Sequence, residues 1–223
     1  MLSVVIKKRL GDERREAFNL DVSFTVGDGT TILFGHSGSG KTTTLRAIAG
    51  VFTPDAGRIV FGGEVYFDAE ARINIPVQRR RVGFVFQDYA LFPHLTAEQN
   101  IAYGMKAEGK REKRERALEM LALFGIEHTR RRLPVEMSGG EQQRAALARA
   151  LASDPSIVLL DEPLSAVDSS TRERLLEEIK SAQRRSEIPF LYVTHNRAEA
   201  ERIGRRINIF SEGRVVEEKE LND

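Results

Sequence analysis

The sequence predicts an α/β fold with a mixed, largely parallel core sheet, an antiparallel β subdomain near the N-terminus and an inserted helical subdomain. Five short apolar runs come first, at residues 31–34, 82–86, 157–160, 190–194 and 207–210, each of the kind expected for a strand buried on both faces. Helical segments separate them, so the strands are joined by crossovers and lie parallel. A different pattern occupies 18–24, where Phe18, Leu20, Val22 and Phe24 alternate with polar residues in the period of a half-buried strand.

Together with 3–7 before it and 58–61 and 64–67 after it, this alternating run predicts the antiparallel layer. Between 96 and 153 the chain reads as helix. Thr96 and Gln99 have the spacing of a capping box, and Ala117, Leu118, Leu121 and Phe124 form an apolar stripe. Ser170 and Glu173 cap a further helix whose apolar face includes Leu175, Leu176 and Ile179. No internal repeat or low-complexity linker interrupts the chain. The expected organisation is one domain over 1–223, with 1–87 and 154–223 as core and β subdomain and 88–153 as the helical subdomain.

The 223 residues suffice for one sizeable domain, and 41% hydrophobic with 30% charged residues is ordinary globular composition. Lys plus Arg number 34 against 33 Asp plus Glu, so no global field favours nucleic acid or anionic lipid. The basic runs 79–81 and 130–132 lack accompanying aromatics and read as solvated faces or as local phosphate or partner contacts. With no cysteine, disulfides, thiolate metal sites and cysteine nucleophiles are excluded. Residues 1–16 lack the apolar segment of a signal peptide, and no uncharged apolar run approaches the ~18 residues of a membrane span. The expectation is a soluble protein whose membrane role, if any, comes through a partner.

Gly35, His36, Ser37, Gly38, Ser39, Gly40, Lys41 and Thr42 match G-x-x-x-x-G-K-[ST], followed by Thr43. The glycines let the backbone curl so that successive N–H groups face phosphate oxygens, and the following helix adds its N-terminal partial charge. Lys41 is placed to reach the β- and γ-phosphates, and the Thr42 hydroxyl to ligate Mg²⁺. The setting is right, with an apolar run ending at Phe34 and a helix starting near Lys41. Downstream, the run 157–160 ends in Asp161 and Glu162, a strand end that can hold the metal through Asp161 and orient water with Glu162.

Several phosphate-loop classes share those elements. Residues 137–144, Met-Ser-Gly-Gly-Glu-Gln-Gln-Arg, separate them. Ser138 and Glu141 form a capping box, while Gly139 and Gly140 leave backbone N–H groups bare at a helix start, a second anion site. This stretch resembles the ABC signature L-S-G-G-Q and lies just upstream of the acidic strand, as in ATP-binding cassettes. The chain is therefore identified as resembling ABC transporter ATP-binding subunits along essentially its whole length.

The resemblance implies ATP and Mg²⁺ as ligands and carries roles onto further residues. Gln87 corresponds to the glutamine that senses metal and water, Asp168 to the D-loop aspartate, and His195 to the switch histidine on the γ-phosphate. Glu162 becomes the general base. Phe18 matches the aromatic residue that stacks on adenine, although phenylalanine on such a strand is commonly core. Glu141 stands for the usual glutamine and Asn196 for a common aspartate, and both keep their capping chemistry.

The same resemblance implies a head-to-tail pair of copies, each phosphate loop facing the other copy's Ser138, Gly139, Gly140 and Glu141. It also implies a transmembrane permease, an indirect link to a periplasmic or extracellular solute-binding protein, and a place at the cytoplasmic face of the membrane. No nucleic-acid partner is expected. Residues 89–96 are a candidate permease-docking stretch, with partial core packing the alternative for Leu91 and Phe92. Among importers, Phe18 in its alternating run, 88–96, 100–104 and 164–168 most resemble molybdate/tungstate ATPases, while sulfate, ferric-iron and polyamine importers share parts of these stretches. A native chain no longer than 223 residues would lack the C-terminal oxyanion-sensing module of that group. The rival readings are a non-transport ABC protein, a phosphate-loop kinase and an exporter ATPase.

Overall fold

In the computed structural model, residues 1–11, 18–105, 109–165, 167 and 169–221 are described. The chain runs β1 (Leu2–Leu10), β2 (Phe18–Val26), β3 (Thr30–Phe34), α1 (Lys41–Ala49), β4 (Ala56–Phe61), β5 (Glu64–Asp68), β6 (Ile73–Asn74) and β7 (Val82–Val85). It continues through α2 (Ala97–Tyr103), α3 (Lys110–Leu123), α4 (Gly139–Ala152), β8 (Ile157–Asp161), α5 (Ser169–Ser186), β9 (Phe190–Thr194), α6 (Arg197–Ile203), β10 (Arg206–Ser211) and β11 (Arg214–Glu220). Two compact units result, one of Met1–Arg81 with Glu187–Asp223, the other of Val82–Ser186.

In the first unit the expected antiparallel layer is a five-stranded sheet in the order β2-β1-β4-β5-β6. Its register sets Leu2, Val4 and Ile6 opposite Val26, Phe24 and Val22, so both strands turn the same apolar face inward. All six side chains are at most 3% exposed, and each contributes on the order of 2 kcal/mol by leaving water. The other layer is β10-β3-β9, parallel throughout, with β11 antiparallel at its edge. Phe24 of the first sheet meets Phe210 of the second edge-on, with ring centroids 6.0 Å apart. The short β6, the helix α6 and the strand β11 extend the arrangement beyond the elements the sequence announced.

In the second unit β7 and β8 pair in parallel, and every residue of β8 is buried. The expected helical stretch is α2, α3 and α4. Thr96 caps α2 with the full box it shares with Gln99, and Ala117 and Leu121 form the inward side of α3 with Phe124 buried at its C-cap, while Leu118 of the expected stripe is only half-buried. Leu175, Leu176 and Ile179 of α5 are buried as expected, whereas the side chain of Ser170, the expected cap, lies outside the described residues. Fully buried Asn100 ties down the loop before α2. Its Oδ1 accepts the Phe92 N–H at 2.8 Å, and its Nδ2 donates to the carbonyls of Leu95, Phe92 and Thr96. The Phe92 ring packs on Tyr103 at 4.3 Å, and Leu91 and Phe92 are both half-buried.

One basic run departs from its expected character. Arg80 is neither a solvated residue nor a free phosphate contact but is buried at 3% exposure. Its guanidinium donates to the carbonyls of Ala47 and Ile48 at the C-terminus of α1, to those of Tyr66 and Ile75, and to Asn74 Oδ1. The last carbonyls of a helix have no intrahelical partner, and this planar five-donor group supplies one for two of them. Burial draws its pKa below the ordinary arginine value. Arg79 and Arg81 are exposed, as a solvated face requires. Arg80→Met should therefore lower stability by about 2 kcal/mol, because the Ile48 carbonyl loses the guanidinium, although those of Ala47 and Tyr66 keep the N–H groups of Gly50 and Ile75. The shift of the urea unfolding midpoint measures it, and an unchanged midpoint would show that water replaces the guanidinium.

Candidate functional site

The loop 35–40 leaves the end of β3 and enters α1 through Gly40, whose φ of 101° favours glycine. A side chain there would also strike Leu20 Cδ1 at 2.6 Å and meet the Phe18 ring at 3.3 Å. At Gly35 a Cβ would lie 2.3 Å from the Phe210 carbonyl oxygen. The loop is thus pressed between β2 on one side and β10 on the other. The turn after β10 closes the cradle, for the Gly213 N–H donates to the Ser39 carbonyl at 3.2 Å and the Gly213 carbonyl accepts the Asp21 N–H at 2.8 Å.

Lys41, only 4% exposed, lies beneath this loop. A buried ammonium without partners is costly, and here Nζ donates to the carbonyls of His36 at 2.7 Å and Gly35 at 2.8 Å and to Ser39 Oγ at 3.3 Å. His36, Ser37 and Gly38 form the exposed crest, and Thr42 and Thr43 are half-buried in the first turn of α1. Phe18 is half-buried and lines an open cavity with Asn19, Asp21, Ser211, Glu212, Arg214 and Val216. It is therefore not a fully enclosed core residue.

His195 reaches the same end of this unit because β9 and β3 pair in parallel with Thr194 opposite Phe34. The next residues, His195 and Gly35, leave neighbouring strands side by side, at the carboxyl ends where open α/β sheets bind ligands. His195 is exposed. The peptide around it is fixed by residues that the sequence did not single out. Buried Glu199 accepts hydroxyls from Tyr192 at 2.9 Å and Thr194 at 2.7 Å. The one available signal was the Asn196-x-x-Glu199 spacing.

The second unit repeats this device. Val85 pairs with Leu160, so Gln87 and the Asp161–Glu162 pair follow adjacent strand ends. Asp161 is buried at 3% exposure, Glu162 is half-buried and Gln87 is exposed. Glu162 has a φ of 45°, and Tyr89 and Ala90, just past Gln87, have φ of 61° and 43°. Such left-handed non-glycine residues are strained and concentrate at functional sites. The carbonyls of Tyr89 and Ala90 are held by Arg149 of α4, which donates to them at 2.9 and 2.7 Å. Burial lowers the pKa of Arg149.

Ser138 caps α4, followed by Gly139 and Gly140 in its first turn. The box is complete, since the Ser138 N–H and hydroxyl donate to Glu141 Oε2 at 2.7 and 2.8 Å while the Glu141 N–H donates to Ser138 Oγ at 3.4 Å. His128 Nε2 lies 2.6 Å from Glu141 Oε1, a contact that sequence spacing could not reveal. Burial alone would push the Glu141 carboxyl up, but the Ser138 backbone, His128 and the Ser138 hydroxyl outweigh it, lowering it from 4.5 to about 2. Asp168 lies outside the described residues.

The phosphate loop in one unit, with the acidic strand end and the capped Ser-Gly-Gly-Glu turn in the other, are the hallmarks of ATP-binding cassettes. A family model described as ABC transporter matches residues 20–165, and this chain belongs to that family. It is 43% identical over 222 residues to the molybdate/tungstate import ATP-binding protein WtpC of Archaeoglobus fulgidus, covering 100% of this chain and 88% of that protein. The molybdenum import ATP-binding protein ModC of Rhizobium etli is 42% identical over 214 residues, 96% of this chain and 59% of the relative. An Fe(3+) ions import ATP-binding protein, FbpC 1 of Rhizobium meliloti, is 47% identical over 201 residues, 89% of this chain and 55% of that protein. The chain thus spans about three fifths of the length of the ModC relatives it matches. A dimeric structure of the ATP-binding cassette MJ0796 bound to ADP and Pi superposes with a TM-score of 0.83 at 32% identity, covering both chains fully. The α/β cassette fold expected from the sequence is the observed one. Among the described residues no helix is long and apolar enough to cross a membrane.

Because the Glu141 carboxyl is depressed in the folded protein, the stability it contributes is present above its ordinary value and is lost as the pH falls from 4.5 towards about 2. Glu141→Gln keeps a capping side chain but not this titration. The stability advantage of the wild type over the mutant should shrink across that window in denaturant unfolding at stepped pH. Curves that stay parallel from neutral pH to pH about 2 would remove the assignment.

Proposed function

We propose that this chain is the ATP-hydrolysing cassette of an importer, and that the imported solute is an oxyanion such as molybdate or tungstate. The observation that carries the reading is the capped turn of Ser138, Gly139, Gly140 and Glu141, because a phosphate loop and an acidic strand end alone would serve many nucleotide enzymes. Relatives with molybdate, tungstate and molybdenum in their names support the solute, while an iron-import relative of comparable identity keeps ferric iron as a second reading.

In this reading the backbone N–H groups of residues 35–43 and the Lys41 ammonium grip the β- and γ-phosphates, and Phe18 stacks on adenine. Glu162 takes a proton from water as the water oxygen bonds to the γ-phosphorus. The bond from that phosphorus to the β–γ bridging oxygen then breaks, and ADP and phosphate are released. His195 orients the γ-phosphate and Gln87 the water, and fixed donors stabilise charge as it develops. Thr42 and Gln87, with Asp161 through water, would hold Mg²⁺. They are hard oxygen donors, few enough to leave room for phosphate oxygens and water, as that ion prefers. When bound it would neutralise phosphate charge. Asp168 is read as the D-loop aspartate.

Two copies would pair head to tail with ATP between the phosphate loop of one and the signature of the other. A permease would dock against the stretch 89–96, and a solute-binding protein would act through that permease. The cassette would sit peripherally at the cytoplasmic face of the membrane.

Vesicles containing this subunit with its cognate permease and solute-binding protein should take up molybdate or tungstate at the expense of ATP. Turnover stimulated by ferric iron or sulfate alone would overturn the solute assignment. Glu162→Gln should bind ATP normally while hydrolysis falls by about 100-fold or more, the scale of a lost general base. Near-normal turnover by that mutant would remove Glu162 from the role.

A further inference from the structure

The spacing Asn196-x-x-Glu199 is that of a capping box, in which the third residue of the helix ordinarily reaches back to the N–H of the cap. Here the first half is regular, with Asn196 Oδ1 accepting the N–H of Ala198 at 2.9 Å and of Glu199 at 3.3 Å. The second half is rerouted. The Asn196 N–H donates instead to Thr194 Oγ1 at 2.9 Å, and the Thr194 hydroxyl donates onward to Glu199 Oε2 at 2.7 Å. Tyr192, two residues earlier on the same face of β9, donates its hydroxyl to the same oxygen at 2.9 Å. Tyr192 is 0%, Thr194 2% and Glu199 5% exposed, so these bonds face little competition from water.

We propose that Glu199, acting through the Thr194 hydroxyl, is the positioning residue for His195. The relay grips the residue before His195 and the residue after it, so the exposed imidazole stands on a peptide whose two flanks are tied to one buried carboxylate. A helix cap alone needs none of this. Serine, threonine or asparagine at the cap suffices, and burying a carboxylate to accept two hydroxyls is costly unless its position matters. The arrangement also explains the order of residues, because a hydroxyl is required at the last position of β9 and a carboxylate at the third position of α6. Glu199 need not touch nucleotide, and its effect passes through the position of His195. The inference rests on the reading of His195 as the γ-phosphate contact.

The experiment is ATP hydrolysis by the full chain with Thr194→Val, Thr194→Ser, Tyr192→Phe, Glu199→Ala and His195→Ala, alongside nucleotide affinity of each in a Glu162→Gln background. Thr194→Val keeps the shape but breaks the relay, and should lower kcat about 10- to 100-fold with KM for ATP and nucleotide affinity within about two-fold of wild type, as for a misplaced group. Thr194→Ser restores the hydroxyl and should restore kcat. Tyr192→Phe removes a bond outside the relay and should cost less than Thr194→Val. Adding Thr194→Val to His195→Ala should bring no further loss. If Glu199→Ala fails to fold, the Thr194→Val and Thr194→Ser comparison decides by itself. Wild-type kcat in Thr194→Val, or equal losses in Thr194→Val and Tyr192→Phe, would overturn the proposal if His195→Ala is inactive. Full activity in His195→Ala would instead overturn the reading on which it rests.

Discussion

The ammonium of Lys41 sits in a nearly closed space and must find oxygen partners there, and the loop above it is shaped around that requirement. Burying a cation is tolerable only where oxygens surround it, and the carbonyls of its own loop at Gly35 and His36 supply two of them. A backbone that turns its carbonyls inward onto the lysine can present its N–H groups outward, and an anion-binding loop needs that polarity. Such a curl leaves no room for side chains at Gly35 and Gly40, because Phe210 and Leu20 approach too closely. The course of the loop is therefore constrained by contact with two sheets and not merely by its composition.

The catalytic candidates are delivered by a second constraint, the pairing of parallel strands. Parallel neighbours end at the same side, so residues far apart in the chain emerge together. Thr194 opposite Phe34 brings His195 beside the phosphate loop, and Val85 opposite Leu160 brings Gln87 beside Asp161 and Glu162. The chain past β7 and the chain past β8 then depart from regular geometry. Glu162, Tyr89 and Ala90 adopt left-handed backbone, and the last two have their carbonyls held by Arg149 from the signature helix. That helix thus carries both the capped signature turn at its start and a grip on the segment after Gln87.

Much of this was legible in the sequence wherever a local rule applied. Alternation in 18–24 described β2, apolar runs described β3, β8 and β9 as buried although β7 proved only alternately buried, and the spacings of Thr96 with Gln99 and Ser138 with Glu141 described helix starts that formed as written. The phosphate loop was legible for the same reason, since its geometry is made by consecutive residues. Local rules failed where a polar side chain found a distant partner. Arg80 looked like one of three surface arginines, yet its guanidinium donates to the carbonyls of Ala47 and Ile48 at the end of α1, more than thirty residues away. Glu199 was not singled out at all, yet it accepts the hydroxyls of Tyr192 and Thr194.

By itself the sequence determined the class of fold, the caps at Thr96 and Ser138, the phosphate loop and the candidates Lys41, Ser138, Asp161 and Glu162, because each is marked by side chains close together in the chain, whereas Gln87 and His195 came only from the family resemblance. Tertiary structure alone decided that β10 and the turn at Gly213 would back the phosphate loop, that His128 would meet Glu141, and that Arg149 would hold the segment beyond Gln87. Those contacts join residues with no common period or spacing. They exist because buried polar groups must find partners once the strands have paired, and which partner lies within reach is a property of the folded backbone.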